Sequence, residues 1–395
     1  MTGPTDYDAI VIGAGLPGLL AAWRVAQAGL RVVVLERRVV AAQSSALAAG
    51  HVPQESTSPI NLAVLRRTRA VVDHLDRVTG SVVSFRVVGG IQMATGPTGA
   101  DILARRSRAA ARLGAEGELL EPADVATRWP QLATQDLAVA YQTAGDGFVR
   151  SQHLTVVLAA MARQAGADIW EGCPAESIRI GDGQVEGVQV AGSVLTARRV
   201  LVAAGAWSRP LLARSGLHLP TKTFVLGVVI LTGVETTLPF FSEVEAGYYA
   251  MRRGPASLLV GLPPTDIDGN PDEFSPVPEP TQRDRTLRDI RRRVPALRDA
   301  PVATGWSGVL VATPDAWPLL GRFGPPGLFV ATGFGGGGVQ RVAAAEGVAQ
   351  LMLDEEPFYD IRAQEASRYD GFGGGGFEFR EGPFYYGETS GTQLW

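Results

Sequence analysis

Short apolar runs closed by small residues alternate along this chain with longer stretches whose apolar positions recur at helical spacing. Ala9-Ile10-Val11-Ile12 reads as a buried parallel strand and Arg31 to Leu35 as a second, with a helix from Leu19 to Ala28 between them and Gly29 as its stop. Ser58-Pro59 is an N-cap followed by proline at N1, and Ile60 to Val78 carries apolar residues on one face and arginines on the other. Ser81 to Met93 reads as strand, Ala100 to Leu113 as an arginine-rich surface helix, and Pro122 to Trp129 as a short helix ended by Pro130. A turn at Asp146-Gly147-Phe148-Val149 leads into a helix from His153 to Ala165, which Gly166 stops before the next strand.

The run Ser177 to Leu195, with turns at Gly181-Asp182-Gly183 and Ala191-Gly192, is an antiparallel excursion, after which Arg199 to Val202 returns to a buried strand with a small-residue exit through Ala203-Ala204-Gly205-Ala206-Trp207. From Leu217 to Gly305 the texture changes: alternating strands at Thr223 to Leu231 and Gly247 to Gly261, a Pro/Asp/Gly-rich loop, then a basic amphipathic helix from Gln282 to Val294. Trp306 to Gly321 is a small-residue passage. Leu328 to Ala331 is another buried strand, and it runs into Gly333 to Gly338, a glycine loop opening a helix from Val339 to Leu353. The tail from Gly371 to Trp395 is glycine and aromatic, with no period long enough for a core of its own.

The first of these glycine corners carries the most specific chemistry. Gly13 permits a tight turn, Gly15 lets backbone approach a pyrophosphate, and Gly18 lets the helix pack closely on its strand, while Ala14 and Leu16 complete the loop and Pro17 sits where its missing donor is harmless. The helix N-terminus presents N–H groups and partial positive charge to phosphates. Glu36 ends the second strand, where an acid binds a ribose 2′-OH and repels a 2′-phosphate, so the expected ligand is a dinucleotide other than NADP.

Composition narrows the class. With 395 residues the chain is expected to hold two domains, and 46% hydrophobic, 19% charged residues and a net charge of −4 give no footprint for nucleic acid. Lys222 is the only lysine and Cys173 the only cysteine, which excludes an internal disulfide, a thiol zinc site and a paired-cysteine redox centre; no metal site is expected. The sequence shows no leader and no apolar run of about 18 or more residues, and a cytoplasmic protein without a membrane span is expected.

In its order of parts the chain resembles the D-amino-acid oxidase superfamily of FAD-dependent oxidoreductases, the branch of glycine oxidase and sarcosine oxidase. The resemblance rests on the first loop through Glu36-Arg37, Ser44-Ser45 to Ala49-Gly50, Asp146-Gly147, Ala203 to Trp207, Trp306-Ser307-Gly308 with Thr313-Pro314-Asp315, and the Gly333 to Gly338 loop. It implies an α/β protein: a Rossmann-like FAD-binding domain with a parallel sheet (1–80, 146–216 and 306–370) and an α+β substrate domain with an antiparallel sheet (81–145 and 217–305), followed by the tail 371–395. It also implies an extended FAD, with adenosine at Glu36 and Arg37 and pyrophosphate at Gly13 to Gly18. Ser44, Ser45, Ala49, Gly50 and His51 would run along the ribityl chain and ring, Ala175 beside the adenine, and Ala204, Gly205 and Trp207 near the ribose. Gly308 and the loop Gly336, Gly337, Gly338, Val339 and Gln340 would face the ring, where a helix N-terminus stabilises negative charge on a reduced flavin.

The resemblance further implies hydride transfer from a C–N bond to flavin N5, giving an imine, with an amine or amino acid as substrate and O2 or another electron acceptor. Tyr249, His51 and Arg252 are the candidate catalytic or substrate-positioning residues. Several departures shape this expectation. Leu310 replaces a carboxylate-clamping arginine, so either Arg252 or Arg253 reaches in or the substrate lacks a free carboxylate. Leu259 takes the place of an oxygen-assisting lysine, and Gln340 that of a carboxylate-binding lysine. Gly308 and Leu47 stand where relatives attach the cofactor, so the FAD is expected to be noncovalent. Two alternatives remain open: a dehydrogenase of a hydroxy acid acting on a C–O bond, and the flavin subunit of a heteromeric dehydrogenase. The aromatic tail is a candidate contact with a partner subunit or a second copy.

Overall fold

The computed structural model describes residues 6–266 and 270–369, so the tail expected from Gly371 lies outside the described residues. Strand Ala9–Ile12 stands inside a six-stranded sheet ordered Leu319–Arg322, Leu328–Thr332, Val200–Val202, Ala9–Ile12, Val32–Leu35 and Asp168–Trp170. Neighbours run parallel except the first pair, which is antiparallel. Ala9, Val11, Val32 and Val34 pack against helices Leu16–Gln27, Pro59–Thr79, Ser151–Gln164 and Ala344–Met352. Ile10, Ile12, Val33 and Leu35 face a three-stranded antiparallel sheet made of Ala175–Gly181, Gln184–Val190 and Ser193–Thr196. Strands covered on both faces have no solvent side, which is why their sequences are unbroken apolar runs. Leu16–Gln27 begins at Leu16 rather than Leu19, with Gly15 as its N-cap, so Gly18 lies within the helix. Pro59–Thr79 starts where expected because Ser58 Oγ accepts from Asn61 N at 3.3 Å.

The second sheet has nine strands, following the path Thr265–Asp266, Lys222–Thr232, Ser257–Gly261, Tyr249–Gly254, Phe240–Glu243, Gly90–Ala94, Val139–Thr143 and Glu118–Leu120, with Val302–Ala312 paired along Lys222–Thr232. One face (Val229, Leu231, Tyr248, Ala250, Leu258 and Val260) packs on Leu287 and Ile290 of helix Pro280–Arg293. A buried ion pair holds that helix down: Arg293 Nε donates to Glu243 Oε2 at 2.9 Å, and the Tyr248 hydroxyl donates to the same oxygen at 3.1 Å. The opposite face (Val228, Phe240, Tyr249, Met251 and Leu259) packs with Ala49 and Phe148 toward the first sheet.

Four expectations change. Trp306 to Ala312, read as a small-residue passage, belongs to the 11-residue strand Val302–Ala312 of the second sheet, and the domain boundary expected between 305 and 306 falls inside that strand. After the last glycine loop the α-helix begins at Ala344, not Val339, because Gly337, Ala344, Ala345 and Glu346 donate to carbonyls only three residues back. Asp146 to Val149 contains a short strand, Gly147–Phe148, paired with His51–Val52 and Arg86–Val87. Ser81 to Met93 divides into Arg86–Val87 and Gly90–Ala94, with Gly89 at φ +71° between them.

Candidate active site

A cavity of ≈ 540 Å³ runs between the two sheets. At one end it is lined by Glu36, Arg37, Pro174, Ala175, Pro210 and Arg214. Glu36 Oε2 accepts from Ala14 N at 2.9 Å and Oε1 from Arg38 N at 2.8 Å, so its carboxylate is fixed at the mouth of the glycine turn. The Arg37 guanidinium lies 4.1 Å from the Trp207 ring centre and forks onto the Asp272 carboxylate, which also accepts from Trp207 Nε1 at 3.1 Å. The hydrogen bonds from Arg37, outweighing partial burial, hold Asp272 below the usual carboxylate range. Nothing in the Pro/Asp/Gly-rich loop marked Asp272 as a cavity residue.

The middle of the cavity is a backbone cradle. Gly13 sits at φ +107°, and a Cβ on it would lie 2.6 Å from Ala203 O, so only glycine fits where the turn crosses the neighbouring strand. Ser45 Oγ accepts from Leu16 N at 3.0 Å and Ser44 Oγ donates to Val309 O, which ties the small-residue segment to the first helix and to the second sheet. Ala14, Gly15, Pro17, Ala49, Gly50, Ala204 and Gly205 border this space, and Gly308, Gly336, Gly338, Val339 and Gln340 line the cavity beyond it. Three expected members do not line it. Leu16 is buried in the helical core, Gly18 faces Gly13 O at a distance that leaves no room for a side chain, and Gly337 faces the Arg341 guanidinium.

The far end is a chamber walled by Leu47, Leu226, Val228, Phe240, Tyr249, Trp306 and Leu310, with His51 at its edge. The His51 ring stacks on Phe240 at 3.7 Å and an interplanar angle of 6°, and its Nε2 meets Asp146 Oδ2 at 3.2 Å. Burial works to raise the Asp146 pKa, but the hydrogen bond and charge of His51, the Gln54 amide and Arg106 together hold it below its ordinary value. Tyr249 lies opposite Gly261 in the sheet, and a Cβ on Gly261 would meet the Tyr249 ring at 2.1 Å. Burial, partly opposed by Arg253, raises the Tyr249 pKa, so the group is a neutral phenol.

Arg252, expected at the substrate, is exposed and donates to Thr236 O at 3.3 Å, away from the chamber. Arg253 takes the inward side instead, reaching Ala49 O at 3.2 Å without itself lining the cavity. The strand register shifts between Arg252 and Gly254.

FAD fits these residues. The N-cap of the first helix is Gly15, which has no side chain, its glycine cradle leaves backbone open to phosphate beside the Ser45 hydroxyl that receives Leu16 N, and Glu36 waits at the sugar end. At the other end Gln340 Oε1 is a buried acceptor with no partner among the described residues, suited to a ring N–H. A model of the FAD dependent oxidoreductase family matches residues 8–351. The chain belongs to this family.

Among its relatives is glycine oxidase of Geobacillus kaustophilus, 28% identical over 92% of this chain and 98% of the relative. Human mitochondrial dimethylglycine dehydrogenase is 27% identical over 92% of this chain and 44% of the relative, so this oxidoreductase spans less than half the length of that enzyme. The crystal structure of the Geobacillus glycine oxidase superposes with a TM-score of 0.83 at 26% identity, covering 92% of this chain and 99% of that one. L-proline dehydrogenase from P. horikoshii superposes at 0.84 with 20% identity, covering 93% and 98%, a likeness of fold. Among the described residues, no helix of this FAD dependent oxidoreductase is long and apolar enough to cross a membrane.

Proposed function

We propose that this chain oxidises a C–N bond of a small amine or amino acid to an imine, with FAD held noncovalently. Bound FAD supplies a two-electron acceptor that takes hydride from a carbon next to nitrogen. The observation that carries this reading is the apolar chamber at the Gly336 to Gln340 end. Low polarity disfavours an ammonium ion and so favours the free amine, whose lone pair drives the transfer. Relatives whose names specify amine or amino-acid oxidation, such as the glycine oxidase, support it. Tyr249 and Phe240 shape the chamber, and Asp146 holds His51 at its edge, where the imidazole can hydrogen-bond an arriving amine. Leu47 and Gly308 line the cavity without any group able to bond the cofactor, and Cys173 does not line it.

Residues packed behind the chamber also bear on the electron acceptor. Leu259 is fully buried and no lysine lines the cavity among the described residues, which supports a dehydrogenase that passes electrons to an acceptor other than O2. One free, half-exposed thiol, Cys173, suits a reducing compartment such as the cytoplasm. The tail 371–395 remains our candidate contact with a second copy or partner subunit; size exclusion with and without it checks this, and an unchanged mass removes the idea. The test of the reaction is turnover of an amine panel with a dye acceptor. Release of ammonia or a primary amine is expected, and turnover of hydroxy acids alone would replace this reading with C–O oxidation.

A further inference from the structure

The cations that border the cavity are unevenly placed. Among the described lining residues, Arg37 and Arg214 belong to the end marked by Glu36 and Ala175, and Arg214 Nε there donates to Glu176 O at 2.5 Å. The far chamber is walled by Leu47, Leu226, Val228, Leu310 and the rings of Phe240, Tyr249 and Trp306, and its polar side chains are the Tyr249 phenol, the His51 imidazole and the Gln340 amide. Each of the rings is held in place. Phe240 stacks with His51 at 3.7 Å and with Tyr249 at 5.9 Å, Tyr249 is seated over Gly261, and Trp306 Nε1 donates to Leu47 O at 3.1 Å. Arg253, on the inward side of the strand, gives one N–H to Ala49 O and stays outside the lining.

A carboxylate drawn into such a space loses its water and gains no guanidinium or ammonium in return, and an unpaired buried anion is strongly disfavoured. An amine with an apolar or aromatic substituent meets the opposite situation. Its hydrocarbon part is buried against leucine, valine and ring faces, and as the free base it brings no charge that must lose its water. We propose that the chamber selects a carboxylate-free amine bearing an apolar or aromatic group. The proposal rests on the C–N reading above and names its substrate class.

A matched pair tests it: N-methylbenzylamine and N-methylphenylglycine, which differ only by the carboxylate on the reacting carbon. Each is titrated anaerobically into the FAD-loaded full-length chain, and perturbation of the flavin band gives binding separately from bleaching. The amine is expected to bind at least about a hundredfold tighter than its carboxylated partner, the scale set by an unpaired buried charge. Equal or tighter binding of N-methylphenylglycine overturns the proposal, as does failure of the amine to perturb the band at all. Tight amine binding without bleaching by any C–N compound supports the chamber assignment and removes the C–N reaction. As a second arm, Leu310→Arg places a cation in the wall and is expected to raise affinity for N-methylphenylglycine at least about tenfold over the unsubstituted chain. A folded, FAD-loaded Leu310→Arg chain with no such gain overturns the placement of Leu310 against the substrate.

Discussion

His51 and Asp146 face each other at 3.2 Å, imidazole Nε2 to carboxylate Oδ2, across the antiparallel pairing of His51–Val52 with Gly147–Phe148. Asp146 is 4% exposed and its other oxygen accepts from Gln54 N at 3.1 Å, so the carboxylate can neither rotate nor trade His51 for water. Asp146→Asn keeps the shape and removes the charge that orients and supports the ring. We expect flavin reduction at saturating amine to slow about tenfold, equivalent to roughly 1.4 kcal/mol, with FAD content unchanged. An unaltered reduction rate would show that the pair does not act on the substrate.

Gly15 has φ −80° and ψ 174°, extended backbone open to any residue, and an added Cβ would meet Ser45 Oγ at 3.0 Å and Pro17 Cδ at 3.9 Å. Gly15→Val is therefore expected to fold, as judged by circular dichroism and a cooperative melt, while losing at least about a hundredfold in FAD affinity because the side chain fills the pyrophosphate approach. A yellow Gly15→Val protein with undiminished affinity would move the phosphates elsewhere.

Glu55 is buried and accepts from the Tyr141 hydroxyl, and burial raises its pKa above the ordinary 4.5 despite that hydrogen bond. A carboxyl whose folded pKa exceeds its unfolded one contributes stability at acid pH that is lost as pH rises through the folded value. Glu55→Gln, which keeps an acceptor for Tyr141, should melt above the parent chain at neutral pH, with the gap closing below about pH 4.5. Thermal melts across pH check this, and a gap that widens on acidification would contradict it.

Glu243 is 2% exposed and receives Arg293 Nε at 2.9 Å, Arg292 Nη2 at 2.7 Å and the Tyr248 hydroxyl at 3.1 Å. Glu243→Ala removes the buried partner of the fully buried Arg293, leaving it the exposed-side Asp136 at 2.9 Å and the Ala133 carbonyl, and denaturant unfolding should show a loss of about 3 kcal/mol. Double replacement of Glu243 and Arg293 by apolar residues should recover much of it. A loss below about 1 kcal/mol in the single variant would mean the helix is held by its apolar face alone.

What could be read from the residues divides along a physical line. The strand, glycine turn and helix from Ala9 to Gln27, the acid at Glu36, and the turns at Asp182-Gly183 and Ala191-Gly192 are local devices, and these four turn residues do take positive φ. Strand Val302–Ala312 was hidden because Gly305, Ser307 and Gly308 carry little strand preference; its long pairing with Lys222–Thr232 supplies what the residues lack. Phe240–Glu243 has no local signal because its parallel partner, Gly90–Ala94, is remote in sequence. Within the site, the choice between Arg252 and Arg253 depends on alternation and on a register shift that composition does not show. Asp272 and Phe240 reach the cavity only through the meeting of two sheets.

The central claim is that FAD in this cavity accepts hydride from a C–N bond. Anaerobic bleaching of the flavin in the purified full-length chain, against amines, amino acids and hydroxy acids in parallel, tests it most directly. The account predicts a yellow protein bleached by amines, with a carbonyl compound and free amine or ammonia appearing in equal amounts after the imine hydrolyses. A colourless protein that takes up no flavin, or a flavin bleached only by hydroxy acids, would contradict it.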